Sequence, residues 1–297
     1  MLPDVPTREY DIVDQVAEES PLLLWHYTDA AGLLGIITSS SLRLGNARFL
    51  NDQTEQQYGW RVINDVLDEE IARADHVSGF FKVVKQITDP ADQSGDLFVC
   101  SFSERDDLLS QWQRYGADGF GYSLGFNMRD LLRNPELQHV FLRRLIYSPE
   151  EQKAAVKDVL DTFRRQLEQK YPQSREEAAI VMLLTRAHLM LHLSELAIIF
   201  KNPHFSDEAE WRLVLLLNAS NDEMRERIQF SQRGAVIKPH IDIAAAPRGQ
   251  PCVPLVALIC GPRQDSVLGL ASAQFLLETK GYGHTKIRPS ELSASWR

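Results

Sequence analysis

The chain is poor in cysteine, with three in 297 residues, and Cys100, Cys252 and Cys260 form no C-x-x-C pair. An odd, scattered set inside or beside apolar runs excludes a disulfide framework and a zinc ribbon, and predicts buried thiols in a reduced, cytoplasmic setting. Basic charge is also short. The 32 Lys and Arg face 41 Asp and Glu, a formal net charge of -9, which argues against non-specific binding to nucleic acid or an anionic membrane but leaves room for a local basic groove. The opening MLPDVPTREYDIVDQ carries acids where a secretory signal needs a basic start and an apolar core. No stretch reaches membrane-spanning length without charges, no repeat recurs at a fixed period, and no tract is of low complexity. What is present is the composition of an ordinary globular protein, 44% hydrophobic and 25% charged, in a chain long enough to bury a sizeable core.

Residues 1–20 read as an N-terminal arm, and 21–297 as a single α+β domain. Leu22–Leu24 reads as the end of a buried strand that delivers Trp25, His26, Tyr27 and Thr28 to a helix over 30–39, capped by Thr28 or Asp29. A helix start beside a polar strand end suits an anionic ligand. A second helix is expected from Asn51-Asp52 to about Arg73, just after Arg48, with Glu55 in its first turn. The simpler reading makes these residues a capping box and a local ion pair. The run Leu97–Ser103 looks like a central strand, with Cys100 and Phe102 on one face and Ser101 and Ser103 on the other. Leu108, Trp112 and Tyr115 fall on one side of a short helix after it, as core or as the ring wall of a planar ligand.

Pro149 opens a helical insertion of about 149–200, two long helices joined at Tyr171–Ser174. His188 and His192 stand four apart within it but lack a third ligand, so no metal is expected. Beyond it, Glu208, Glu210 and Arg212 share one face if Asp207–Leu217 is one extended segment. Two carboxylates then meet the mouth of a strand, as an exposed ion pair or at a cleft. Gly261-Pro262-Arg263 could turn backbone N–H groups to a phosphate, although Gly-Pro is also an ordinary turn.

His26-Tyr27-Thr28 before GLLGII, the FLND..E segment, CSFS followed by W..YG, E.EWR and a late CGP together resemble a bacterial family catalogued as domain of unknown function 2971, over roughly residues 22–290. A more distant resemblance is to the ADP-ribosyltransferase superfamily. There His26 matches a first-strand His or Arg, Ser101 and Ser103 the next segment, Glu210 the later catalytic acid, and Glu208 the extra acid of the E-x-E subgroup, which usually begins with Arg instead of His.

That resemblance implies an ADP-ribosyltransferase-like split β-sheet core and an NAD-cleaving enzyme of toxin or defence type, with NAD as substrate and an acceptor that is a macromolecule or a small molecule. It makes Glu210 the carboxylate that orients the ribose, with Ser101 or Ser103 bracing it and Glu208 the base for the acceptor. His26 would hold a ribose, Tyr27, Tyr115 or Trp112 would stack on nicotinamide, and Arg48 would neutralise pyrophosphate, beside Thr28 and Asn51. Two rival expectations are a non-catalytic module that senses nucleotides or nucleic acid, and a metal-dependent hydrolase using Asp52, Glu55, Glu208 and Glu210. No membrane partner is expected, and oligomeric state is left open.

Overall fold

The computed structural model describes residues 23–292 apart from 50–52, 87–96, 138–139, 170–174, 218–221, 234, 248 and 266. The expected arm, Asn51 and Asp52 lie outside the described residues, as does the side chain of Glu55. The chain divides into two compact units, one taking residues up to Gly45, Phe98–Arg144 and from Glu208 onward, the other Asn46–Leu97 and Leu145–Asp207.

The first unit is α+β, built on an open, mostly antiparallel sheet. Its strands are β1 (Leu23–Thr28), β2 (Ser41–Asn46), β3 (Leu97–Ser103), β4 (Tyr122–Asn127), β5 (Val140–Arg144), β6 (Glu210–Leu216), β7 (Gln229–Arg233), β8 (Val236–Ala244), β9 (Leu255–Cys260) and β10 (Lys286–Pro289). Their order is β10-β9-β4-β1-β3-β2-β8-β7, with β6 joined to β3 and β5 to β6. β1 runs four residues beyond the expected end at Leu24, so Trp25–Thr28 are strand. β7 has no counterpart in the sequence reading, because QFSQR lacks an apolar alternation.

Helix α1 (Ala30–Ser39) starts where predicted, with Asp29 as its cap: the Gly32 amide donates to Asp29 Oδ1 at 2.7 Å. Leu33, Ile36 and Ile37 bury their side chains while Leu34 is exposed, and α1 covers one sheet face where Cys100, Phe102, Leu124 and Phe126 also point. Full burial of such side chains contributes about 1.5–3 kcal/mol each, so this layer holds the sheet in place.

The second unit is helical. Helices α2 (Gln53–Ala72) and α3 (Ser78–Gln86) come from one stretch, α6 (Pro149–Gln169) and α7 (Arg175–Ile199) from another; the intervening short helices α4 (Leu109–Arg114) and α5 (Met128–Leu132) belong to the sheet unit. Gly59 lets α2 approach α7 closely, since a Cβ there would lie 2.2 Å from the Ala197 carbonyl oxygen. Arg164 bridges Glu70 at 2.7 Å and also contacts Asp75. Desolvation raises Asp75, but hydrogen bonds from Arg164, Ser78 and the Val77 amide outweigh it and hold the carboxyl at about 2. The window Met182–Ile199 is long and apolar enough to cross a membrane by length and composition alone. It carries Arg186 and Glu195, and its later residues Leu189, Leu193 and Ile198 are buried, as in the core helix of a bundle.

Candidate functional site

The site begins as a failure of strand pairing. β1 pairs with β4 over six residues but with β3 only where Trp25 stands opposite Ser103. Continuing that antiparallel register would set Tyr27 opposite Ser101. That pair is not made. Instead, His26 Nδ1 lies 2.8 Å from the Ser101 carbonyl oxygen, so a side chain takes the place of a ladder bond. Between the parting strands opens a small cleft, lined from both by Trp25, His26, Tyr27, Ser101 and Phe102.

A carbonyl only accepts, so His26 carries its proton on Nδ1 and leaves Nε2 as an acceptor. Burial pushes the imidazole below its usual value, and the bond to Ser101 offsets only part of that shift, which keeps the ring neutral. Phe102 packs beside it at 5.6 Å between ring centroids.

The aromatic walls are fixed from behind. Gly125 faces Trp25 across the β1–β4 ladder, and a Cβ at that glycine would fall 2.9 Å from the indole ring. The Tyr27 hydroxyl donates to the Arg105 carbonyl and accepts from the Leu108 amide, both at 2.9 Å. Those two bonds tie the loop before α4 to β1. Helix α4 then brings Gln111 to the cleft, and Tyr115, which caps the C-terminus of α4, reaches it as well.

Trp112, one position on, turns into the core. It is fully buried, donates from Nε1 to Asp107 Oδ1 at 2.7 Å and meets Tyr27 edge-on at 4.9 Å. It is therefore a support for the wall and not a wall, a correction to its expected stacking role. Asp107 also accepts from Ser290 Oγ at 2.6 Å and the Glu291 amide at 2.7 Å, which fastens this loop to the C-terminal segment.

Glu210 enters from β6. The expected single extended segment is interrupted: Pro203–Glu208 forms a 3-10 helix, Ala209 has φ 41°, and the strand starts at Glu210. One left-handed residue thus sends the two acids apart. Glu210 reaches the cleft, while Glu208 is buried and pairs with Arg114 at 3.3 Å. Glu208 is not among the cleft residues, so its expected role as acceptor base is not supported by position. Ser103 is likewise displaced from its expected role: its hydroxyl donates to the Glu208 carbonyl at 2.6 Å and accepts from the Arg105 amide at 2.9 Å. It braces the turn instead of Glu210.

Glu210 and Arg212 share a strand face, as period two requires, and Arg212 Nε donates to Glu210 Oε1 at 2.7 Å. Their side chains are only 7% and 4% exposed, so this is a buried pair and not the solvated one the sequence also allowed. Arg143 stands opposite Arg212 in the β5–β6 register.

Of the residues singled out in the sequence, the cleft gathers His26, Tyr27, Ser101, Tyr115 and Glu210. Thr28 ends β1 outside the lining, and Arg48 is exposed in the 3-10 turn Ala47–Phe49 of the helical unit. The Gly261 and Arg263 amides donate to the Gly121 and Gly119 carbonyls at 2.9 Å, which uses the donors expected for a phosphate. Among the described residues no three His, Cys, Asp or Glu side chains come together as metal ligands. His192 instead packs on Phe163 at 5.8 Å. The sequence reading missed Trp25, Phe102 and Gln111. Gln111 was legible as the residue four before Tyr115, had the cleft face of α4 been known.

The model of the family described as Protein of unknown function (DUF2971) matches residues 111–213, about a third of the chain, from the start of α4 into β6. No curated protein and no solved structure matches, and nothing found supports the likeness to ADP-ribosyltransferases. The matched segment contains Gln111, Tyr115 and Glu210, and it supports the resemblance to the family of unknown function read from the sequence.

Proposed function

We propose that the cleft receives the nicotinamide–ribose end of NAD and that the chain is an ADP-ribosyltransferase-like enzyme. The observation that carries this reading is the convergence of His26, Ser101, Tyr115 and Glu210, from four separate stretches, on the one gap between β1 and β3. The finer description of the core as a split sheet of the ADP-ribosyltransferase kind belongs to the same proposal and rests on that gap.

The cleft lining holds aromatic rings, one carboxylate and no Lys or Arg, a setting suited to an electron-poor, cationic ring stacked on an aromatic face. The cleft is small, about 50 Å³ against the ~300–1,000 Å³ usual for ligand pockets, so the proposal seats one end of the dinucleotide in it and leaves the rest outside. In the proposed reaction the C–N bond between ribose and nicotinamide breaks, and nicotinamide leaves with the electron pair. The acceptor's lone pair then bonds to the anomeric carbon, and its proton passes to solvent. Glu210, bonded to the Arg212 guanidinium, hydrogen-bonds the ribose and offsets the charge of the oxocarbenium-like state. The neutral His26 accepts from a ribose hydroxyl at Nε2.

The buried bond between Glu210 and Arg212 favours one second reading, a nucleotide-binding module without turnover, because it leaves the carboxylate already engaged. The two separate in one experiment: nicotinamide release from NAD by the purified chain, with and without cell lysate as acceptor, alongside Glu210→Gln and Glu210→Gln/Arg212→Met. Release by the wild type, lost in both variants while both stay folded, is the expected result. Unchanged release in the variants overturns the role of Glu210, and NAD binding without release selects the binding module.

A further inference from the structure

Gln111 is a polar side chain in the cleft that none of the described residues engages. It is 6% exposed, lines the cleft, and its carboxamide makes no hydrogen bond among the described residues; only its backbone carbonyl is engaged, by the Tyr115 and Gly116 amides. Among the described residues the buried side-chain polar atoms without a partner are Ser123 Oγ and Arg164 Nε; the Gln111 amide instead opens onto the cleft, where solvent completes it until a ligand takes its place. We infer that Gln111 is the specificity-determining residue of this cleft, reading a carboxamide carried in the plane of an aromatic ring.

The helix sets the geometry. Gln111 lies in α4 and Tyr115 caps its C-terminus, the Tyr115 amide donating to the Gln111 carbonyl at 2.9 Å, so both side chains meet the cleft about one turn apart and a ring stacked on Tyr115 brings its edge near Gln111. A ring-borne primary amide offers one N–H and one carbonyl oxygen, the complement of the Gln111 carbonyl and N–H, and the two amides can form a pair of opposed hydrogen bonds. A carboxylate in the same place supplies no donor to the Gln111 carbonyl oxygen. A bare ring gains the stacking alone. The ligand class is therefore a neutral or cationic planar heteroaromatic amide. This deepens the NAD reading and rests on it only for the parent molecule of the ring.

The test is a titration of the full chain with nicotinamide, nicotinate and pyridine, followed by tryptophan fluorescence, in wild type and Gln111→Leu. Nicotinamide should bind about ten-fold or more tightly than either analogue to the wild type, the discrimination expected of unmatched buried hydrogen bonds. In Gln111→Leu the three should converge to within about three-fold. The variant should melt no lower than wild type, because the carboxamide it removes bonds to none of the described residues; a residue that served only the fold would lower the melting temperature and leave the ligand ranking alone. A wild type that does not separate nicotinamide from pyridine, or a leucine variant that still does, overturns the inference. Nicotinamide discrimination without NAD turnover would remove the transferase and keep Gln111. Turnover with discrimination untouched by Gln111→Leu would do the reverse.

Discussion

Arg212→Met tests whether the carboxylate in the cleft depends on its guanidinium partner. The pair is separated by 2.7 Å, and both side chains are more than nine-tenths buried. At an effective dielectric near 20 the gross attraction is on the order of 4–6 kcal/mol, most of it offset by the desolvation of both ions. Removing one partner leaves that desolvation uncompensated, typically about 3–5 kcal/mol. Glu210 borders the cleft and can draw in water, so the low end, about 3 kcal/mol, is expected for Arg212→Met. Glu210→Gln should cost a similar amount, because it removes the carboxylate bonded to Arg212, which stands opposite Arg143 in the register. The double variant removes both ions together and should return to within about 1–2 kcal/mol of wild type. Urea unfolding followed by tryptophan fluorescence reads the cycle, with a midpoint shift of about 1 M for each single variant at a slope near 3 kcal/mol per molar. Additivity to within about 0.5 kcal/mol would refute the coupling. Glu210 would then be stabilised by water, and the claim that the carboxylate depends on Arg212 would fall.

Two further outcomes follow from the walls and from the histidine. Gly125→Ala places a methyl group within 2.9 Å of the Trp25 ring; the indole must move, at a cost of about 1–3 kcal/mol, with altered tryptophan emission and weaker binding of planar ligands, and unchanged emission would show that the ring does not rest on that glycine. His26 is depressed by burial from 6.5, so its contribution to stability is complete above that value. As the pH falls below it, the unfolded chain takes up a proton that the folded chain refuses, and stability declines towards the lowered folded value. His26→Gln should therefore flatten the dependence of unfolding free energy on pH between pH 7 and 5, to the extent left by His192 and His240, which burial also depresses; an unaltered slope would mean that His26 titrates alike in both states.

The sequence by itself determined the local pieces. Asp29 ahead of a run with Leu33, Ile36 and Ile37 specifies a capped helix, LFVCSFS alternates as a buried strand must, and Pro149 starts a long amphipathic helix, because caps and periodicity act within a few residues of each other. It also placed His26, Ser101, Tyr115 and Glu210 at the ends of elements, where polar groups stand out against apolar runs. Only the tertiary structure decided which of them meet. The pairing of β1 with β3 stops after Trp25, and that gap depends on a histidine bond spanning 75 residues. The acids two apart separate because Ala209 takes a left-handed conformation that its own identity does not demand, held by the bonds on either side, from Ser103 to Glu208 and from the Glu104 amide to the Ala209 carbonyl. The choice between Trp112 and Gln111 as the face of α4 turns on a rotation of one residue, about 100°, and is fixed by where Asp107 and Tyr27 receive the indole. Short-range periodicity carries no information about such partners, since each is supplied by a stretch of chain far away in sequence and brought near only by the sheet.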